Sequence, residues 1–101
     1  MLETLRGAIR DERVLTISYA DESGRTTERG IWPITLAFYE QKQIVAAWCT
    51  LREDFRNFRT DRIVSAEIAE GRFGRRRAQL VREWEDIWRE RVRERYPGQP
   101  G

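Results

Sequence analysis

The first residues place Leu2, Leu5 and Ile9 at helical spacing with Ala8 on the same side, which predicts a short amphipathic helix over 2–12. Gly7 weakens it slightly. At Val14 the period changes to two. Leu15, Ile17 and Tyr19 alternate with Thr16 and Ser18, the signature of a half-buried strand. The segment ADESG supplies Asp21, Ser23 and Gly24 as turn formers. TTERGIWPITLAFYE is rich in β-branched and aromatic residues and reads as a second strand, in which Pro33 requires an edge, a bulge or a bend. After the polar break EQKQ comes QIVAAWCTL, the most apolar stretch and the predicted central strand. Phe55 and Phe58 are three apart, so strict alternation fails there. A strand near 56–60, a tight turn over Asp61–Arg62 and a strand near 63–69 are expected. Leu80, Val81, Trp84, Ile87, Trp88 and Val92 then form one helical stripe within 75–95. Pro97, Gly98 and Pro100 end that helix and leave 96–101 as an expected flexible tail.

The order helix, five short strands, helix predicts a mainly β, α+β fold. Its centre is a small five-stranded barrel of SH3 or Sm type, flanked by an N-terminal helix and a C-terminal amphipathic helix. Closing the barrel would remove the edges that so small a sheet exposes. A barrel this small needs bulky fillers, and Phe38, Trp48 and Phe58 are predicted to be core. Tyr19 suits a pocket better, because its ring packs while its hydroxyl reaches a polar group.

At 101 residues the chain is one domain, with 40% hydrophobic and 36% charged residues, so the core is modest and the surface heavily charged. The longest uncharged run, Gly30 to Tyr39, falls short of a membrane span. The start carries Glu3 and Arg6 in place of an apolar run, so no secretory signal is expected. One cysteine, Cys49, permits no internal disulfide and fits a reducing cytoplasm. With no histidine, a Cys/His zinc site and a Ser-His-Asp arrangement are both ruled out. No metal site, no cofactor and no enzymatic activity are expected. Asp61 is read as a turn former that holds Arg62 or caps a short helical turn.

Net charge is +2, and of nineteen cations eighteen are Arg. A GC-rich genome alone gives such a bias, yet the guanidinium fork also suits phosphate and stacked bases. Arg52, Arg56, Arg59 and Arg62 fall close together, interleaved with Glu53, Asp54 and Asp61. They form either a self-paired surface or an anion-binding patch. If 56–60 is a strand, Arg56 and Phe58 share a face and Arg59 points away. The run Arg75-Arg76-Arg77 opens the last helix at the end where cations are disfavoured. That conflict fits either a solvated start or a phosphate-binding role.

Several of these residues carry a resemblance. Leu5-Arg6-x-Ala8-Ile9, Ile17-Ser18-Tyr19, Asp21-x-x-Gly24-x-Thr26, Arg29-x-x-x-Pro33, Ala46-Ala47-Trp48-Cys49, Leu51-Arg52 and FRNFRTDRI from Phe55 to Ile63 resemble the WYL domain. The match runs from about Leu5 to Ala69. The Trp-Tyr-Leu that names the family falls at Gln43-Ile44-Val45, where only the hydrophobic character of the last two is kept. The resemblance implies a WYL domain over 1–74, formed by helix 2–12 and an Sm-like barrel, with the helix 75–95 appended. It implies a cytoplasmic, bacterial sensor linked to transcription regulation, and an anionic ligand, either single-stranded nucleic acid or a nucleotide. Tyr19, Arg29, Arg52, Arg56, Arg59 and Arg62 would take that ligand. Arg29 joins them by resemblance alone, and a salt bridge to Glu28 or Asp61 is an equal alternative for it. The dozen residues before the first strand do not accommodate a helix-turn-helix. The competing reading is a structural interaction module without a ligand, in which Trp84 and Trp88 make a homodimer or bind a partner protein and the Arg cluster only solubilises.

Overall fold

A computed structural model describes residues 1–95 of the chain, so the tail expected at 96–101 lies outside the described residues. The elements are helix α1 (Leu2–Asp11), strands β1 (Arg13–Ala20), β2 (Thr26–Tyr39), β3 (Lys42–Cys49) and β4 (Asp54–Arg59), a 3-10 turn (Thr60–Arg62), strand β5 (Ile63–Arg72) and helix α2 (Arg77–Arg95). All strand pairings are antiparallel, in the order β4-β3-β2-β1-β5. The two outer strands are consecutive in the chain and joined only by the 3-10 turn, so the sheet must curl to bring their ends together. The hydrogen-bonded order is that of an open sheet. The mainly β, α+β fold with a helix at each end is as expected from the sequence.

Each local feature has a physical cause. Asp21 accepts the backbone N–H groups of Ser23 and Arg25 at 2.9 Å and the Ser23 hydroxyl at 2.7 Å, which locks the β1–β2 turn. Glu40 and Gln41 both take positive φ, the geometry a two-residue hairpin requires, and this joins β2 to β3. At Pro33 the β2–β3 register slips, the bulge that a residue without an N–H favours.

The sheet is covered on both faces. One face packs Leu15, Ile17, Ile31, Val45, Ala47, Phe58 and Ile63 against Leu5 and Ala8 of α1. The other packs Ile34, Ala46 and Phe55 against Leu80 and Trp84 of α2. This explains the unbroken apolar run in β3: Ile44 to Ala47 are all buried, because both sides of that strand are roofed. Two expectations are corrected. The central strand is β2, and β3 lies one place from the edge. Phe38, expected in the core, is 76% exposed, because it alternates with Tyr39, which meets Trp88 of α2, and so points to the other face, where the end of the β2–β3 hairpin is left uncovered.

The last helix begins two residues later than expected. The Glu12 carboxylate, 65 positions upstream, accepts the backbone N–H of Arg77 at 2.5 Å and fixes the helix start there. Glu12 holds this position because it ends α1 in a left-handed conformation, φ 53°.

Candidate functional site

Strand register decides which of the candidate side chains can act together. Tyr19 and Arg29 lie on neighbouring strands, and the pairs Leu15–Ile31 and Ile17–Arg29 put Arg29 on the face that holds Ile17 and Ile31. Tyr19 packs on that same face, with its ring edge-on to Phe58 at 5.0 Å. Arg56 and Phe58 alternate with Phe55 and Asn57 and therefore face the same way as Tyr19. Arg59 pairs with Ile44 and belongs to the opposite face, as the sequence predicts. Arg62 sits in the 3-10 turn beside it. Arg52 is exposed in the β3–β4 turn, and the length of β4, about 17 Å, separates it from Arg59. The structure thus brings Tyr19, Arg29 and Arg56 to one face, turns Arg59 to the other and leaves Arg62 in the turn that follows β4. Arg52 stands apart.

Tyr19 is joined to the Arg segment directly. Its hydroxyl oxygen accepts the backbone N–H of Arg59 at 3.1 Å, so the hydroxyl proton stays free to be donated. The Arg59 guanidinium forks onto Asp61, Nε to Oδ1 at 3.0 Å and Nη2 to Oδ2 at 2.6 Å. That hydrogen-bonded pairing lowers the Asp61 carboxyl below its ordinary range and raises Arg59. Asp61 therefore holds Arg59, not Arg62. Asp54 is spent on the backbone N–H of Phe55. Among the described residues, the side chains of Arg52, Arg56 and Arg62 make no hydrogen bond or ion pair, so of the four clustered arginines Arg59 alone is paired within the chain.

Arg29 pairs with neither Glu28 nor Asp61. Its Nε reaches the Thr27 hydroxyl at 3.3 Å, while its Nη1 is buried with no hydrogen-bond partner. An unsatisfied buried donor costs about 1–3 kcal/mol, and more when charged.

The namesake positions of the resemblance have a structural use. Ile44 and Val45 are buried, and the backbone oxygen and Oε1 of Gln43 both lie within reach of the Thr60 hydroxyl, at 3.3 and 3.2 Å. Gln43 thereby ties β3 to the turn that carries Asp61 and Arg62.

Trp84 and Trp88 pack on the chain's own sheet. Trp84 is 9% exposed and its Nε1 donates to the Asn57 side-chain oxygen at 3.0 Å. Trp88 stacks on Trp84 and meets Tyr39 edge-on at 4.9 Å. Two recesses of the surface lie where α1, β5 and α2 meet, and none of the six ligand candidates lines them. Glu12, Arg72 and Phe73 line these recesses, and sequence reasoning passed over all three. The only signal was the cationic run that opens α2.

A curled five-stranded antiparallel sheet with a helix at each end defines a small, mainly β domain of the α+β class. The WYL domain family model matches residues 1–68, and the chain belongs to that family. Among solved structures it is similar to the proteasome accessory factor B/C (PafBC) of Arthrobacter aurescens, with 28% identity and a TM-score of 0.68 over 72% of this chain. The match spans 12% of the PafBC chain. No curated protein matches the sequence. Among the described residues no helix is long and apolar enough to cross a membrane.

Proposed function

We propose that this chain is a regulatory, transcription-related sensor domain that takes an anionic ligand, single-stranded nucleic acid or a nucleotide, on the face of Tyr19, Arg29 and Arg56. Arg62, in the turn that follows β4, would extend that surface at its edge, while Arg59 points to the other side. Membership of the WYL family and the likeness to PafBC support the regulatory, non-catalytic reading. The observation that carries the ligand reading is the orphaned Nη1 of Arg29 on the sheet face that also holds Arg56, whose guanidinium makes no hydrogen bond or ion pair. Phosphate oxygens would complete the donors that the protein leaves unfilled, and guanidinium forks suit them in geometry as well as charge. The free Tyr19 hydroxyl proton would add a directional contact.

The test is fluorescence anisotropy of a labelled single-stranded oligonucleotide at low salt. Arg56→Ala combined with Arg62→Ala removes two side chains that bond to nothing in the fold, so folding is retained. Affinity is expected to fall about tenfold or more, since each lost phosphate contact removes a counterion-release contribution. Unchanged affinity would overturn the assignment.

A further inference from the structure

The cationic run at the start of α2 has a setting that the WYL portion of the chain does not explain, because it lies beyond residue 68. A recess of about 480 Å³ opens there, lined by Glu12, Arg72, Phe73, Gly74, Arg75 and Arg76. A second recess of about 370 Å³ shares Glu12 and Arg76 and adds Arg10 and Arg77.

The backbone of this connection is pinned. Phe73 donates its N–H to the Glu12 carbonyl at 2.9 Å, and its ring stacks on Trp32 at 5.8 Å. Gly74 lies so close to Trp32 that a Cβ there would come within 3.2 Å of the ring. Arg75 lies over the Trp48 ring at 6.0 Å and pairs with Glu83. The Arg77 guanidinium donates to the Ile34 carbonyl at 2.7 Å. Two members of the run are thus structural. Arg72 and Arg76 are exposed, and among the described residues their guanidinium groups make no hydrogen bond or ion pair. Asp11 feels the charge of Arg72, but its carboxylate is forked by Arg10. The end of the helix is not itself the binding element, since Glu12 already accepts the Arg77 N–H.

We infer that Arg72 and Arg76, held either side of Phe73 and Gly74, form a second anion site that takes a phosphoryl group. This site is separate from the Tyr19 and Arg29 face and does not depend on it. A pinned backbone lowers the ordering cost of binding, and because the Glu12 carboxylate that shares the recess is taken up by the Arg77 N–H, two exposed and unpaired guanidinium groups are left to favour an arriving anion. The Phe73 ring gives the recess an apolar wall.

The experiment is an NMR titration of the amide signals of Gly74 and Arg76 with inorganic pyrophosphate and with adenosine diphosphate, adenosine being the uncharged control. Saturable shifts with both phosphates and none with adenosine are expected. Arg72→Gln with Arg76→Gln should weaken them by about tenfold or more, at unchanged thermal midpoint. Tighter binding of the diphosphate would name a nucleotide as the source, and equal binding a free phosphate. Arg56→Ala with Arg62→Ala should leave the shifts untouched, which separates this site from the sheet-face site. Absent shifts, equal shifts with adenosine, or shifts that survive the Arg72 and Arg76 changes would overturn the inference.

Discussion

The Tyr19 hydroxyl accepts the backbone N–H of Arg59 at 3.1 Å and so ties β1 to the end of β4, two strands that are not neighbours in the sheet order. The bond closes what the ladder leaves open. Tyr19→Phe keeps the edge-on contact with Phe58 and leaves the Arg59 N–H without a partner. Stability is expected to fall by about 1 kcal/mol, read as a lower urea midpoint at constant slope. An unchanged midpoint would mean that water replaces the hydroxyl at no cost.

Arg29 should behave as a residue kept for function. Arg29→Met removes an orphaned buried donor and retains an unbranched apolar stem. Thermal stability is expected to hold or rise while oligonucleotide affinity falls. A clear loss of stability would show that Arg29 is structural.

Asp61 competes with any incoming anion for the Arg59 fork. The Asp61 carboxyl is lowered by that pairing, so the pair is intact above the ordinary carboxylate range and is lost only as pH falls through the lowered value. Asp61→Asn frees Arg59 at neutral pH and is expected to tighten oligonucleotide binding. The variant should also flatten the pH dependence of binding on the acid side. Weaker binding by the variant would exclude Arg59 from the ligand surface.

Trp84 couples α2 to the sheet through packing and through the Nε1 bond to Asn57. Trp84→Phe should cost about 1 kcal/mol for the lost bond, and Trp84→Ala about 3–5 kcal/mol for the cavity. Because Trp84 and Trp88 already pack on their own sheet, sedimentation at high micromolar concentration is expected to give a monomer. A dimer abolished by Trp88→Ala would revive the interaction-module reading.

The periodic segments were legible in the sequence because one face of each packs on a core. Leu5 and Ala8 of α1, and Leu15 and Ile17 of β1, are all buried. Alternation also separated Arg56 from Arg59 correctly, and Pro33 announced the β2–β3 slip. Long-range choices were not legible. Nothing local says that Phe38 projects from a hairpin, that Glu12 starts a helix 65 residues later, or that Asp61 selects Arg59 over Arg62. The site residues came from resemblance and charge clustering. Their division between two faces came from register, and the orphaned state of Arg29 only from three-dimensional packing.

The salt dependence of oligonucleotide binding by the unaltered chain tests the central claim most directly. An anisotropy series over ionic strength should give a linear decline of log affinity against log salt with a slope of about −2 or steeper, as expected when three or more arginines neutralise phosphates. A flat line, or no binding at the lowest salt, would contradict a phosphate-reading role for the face of Tyr19, Arg29 and Arg56.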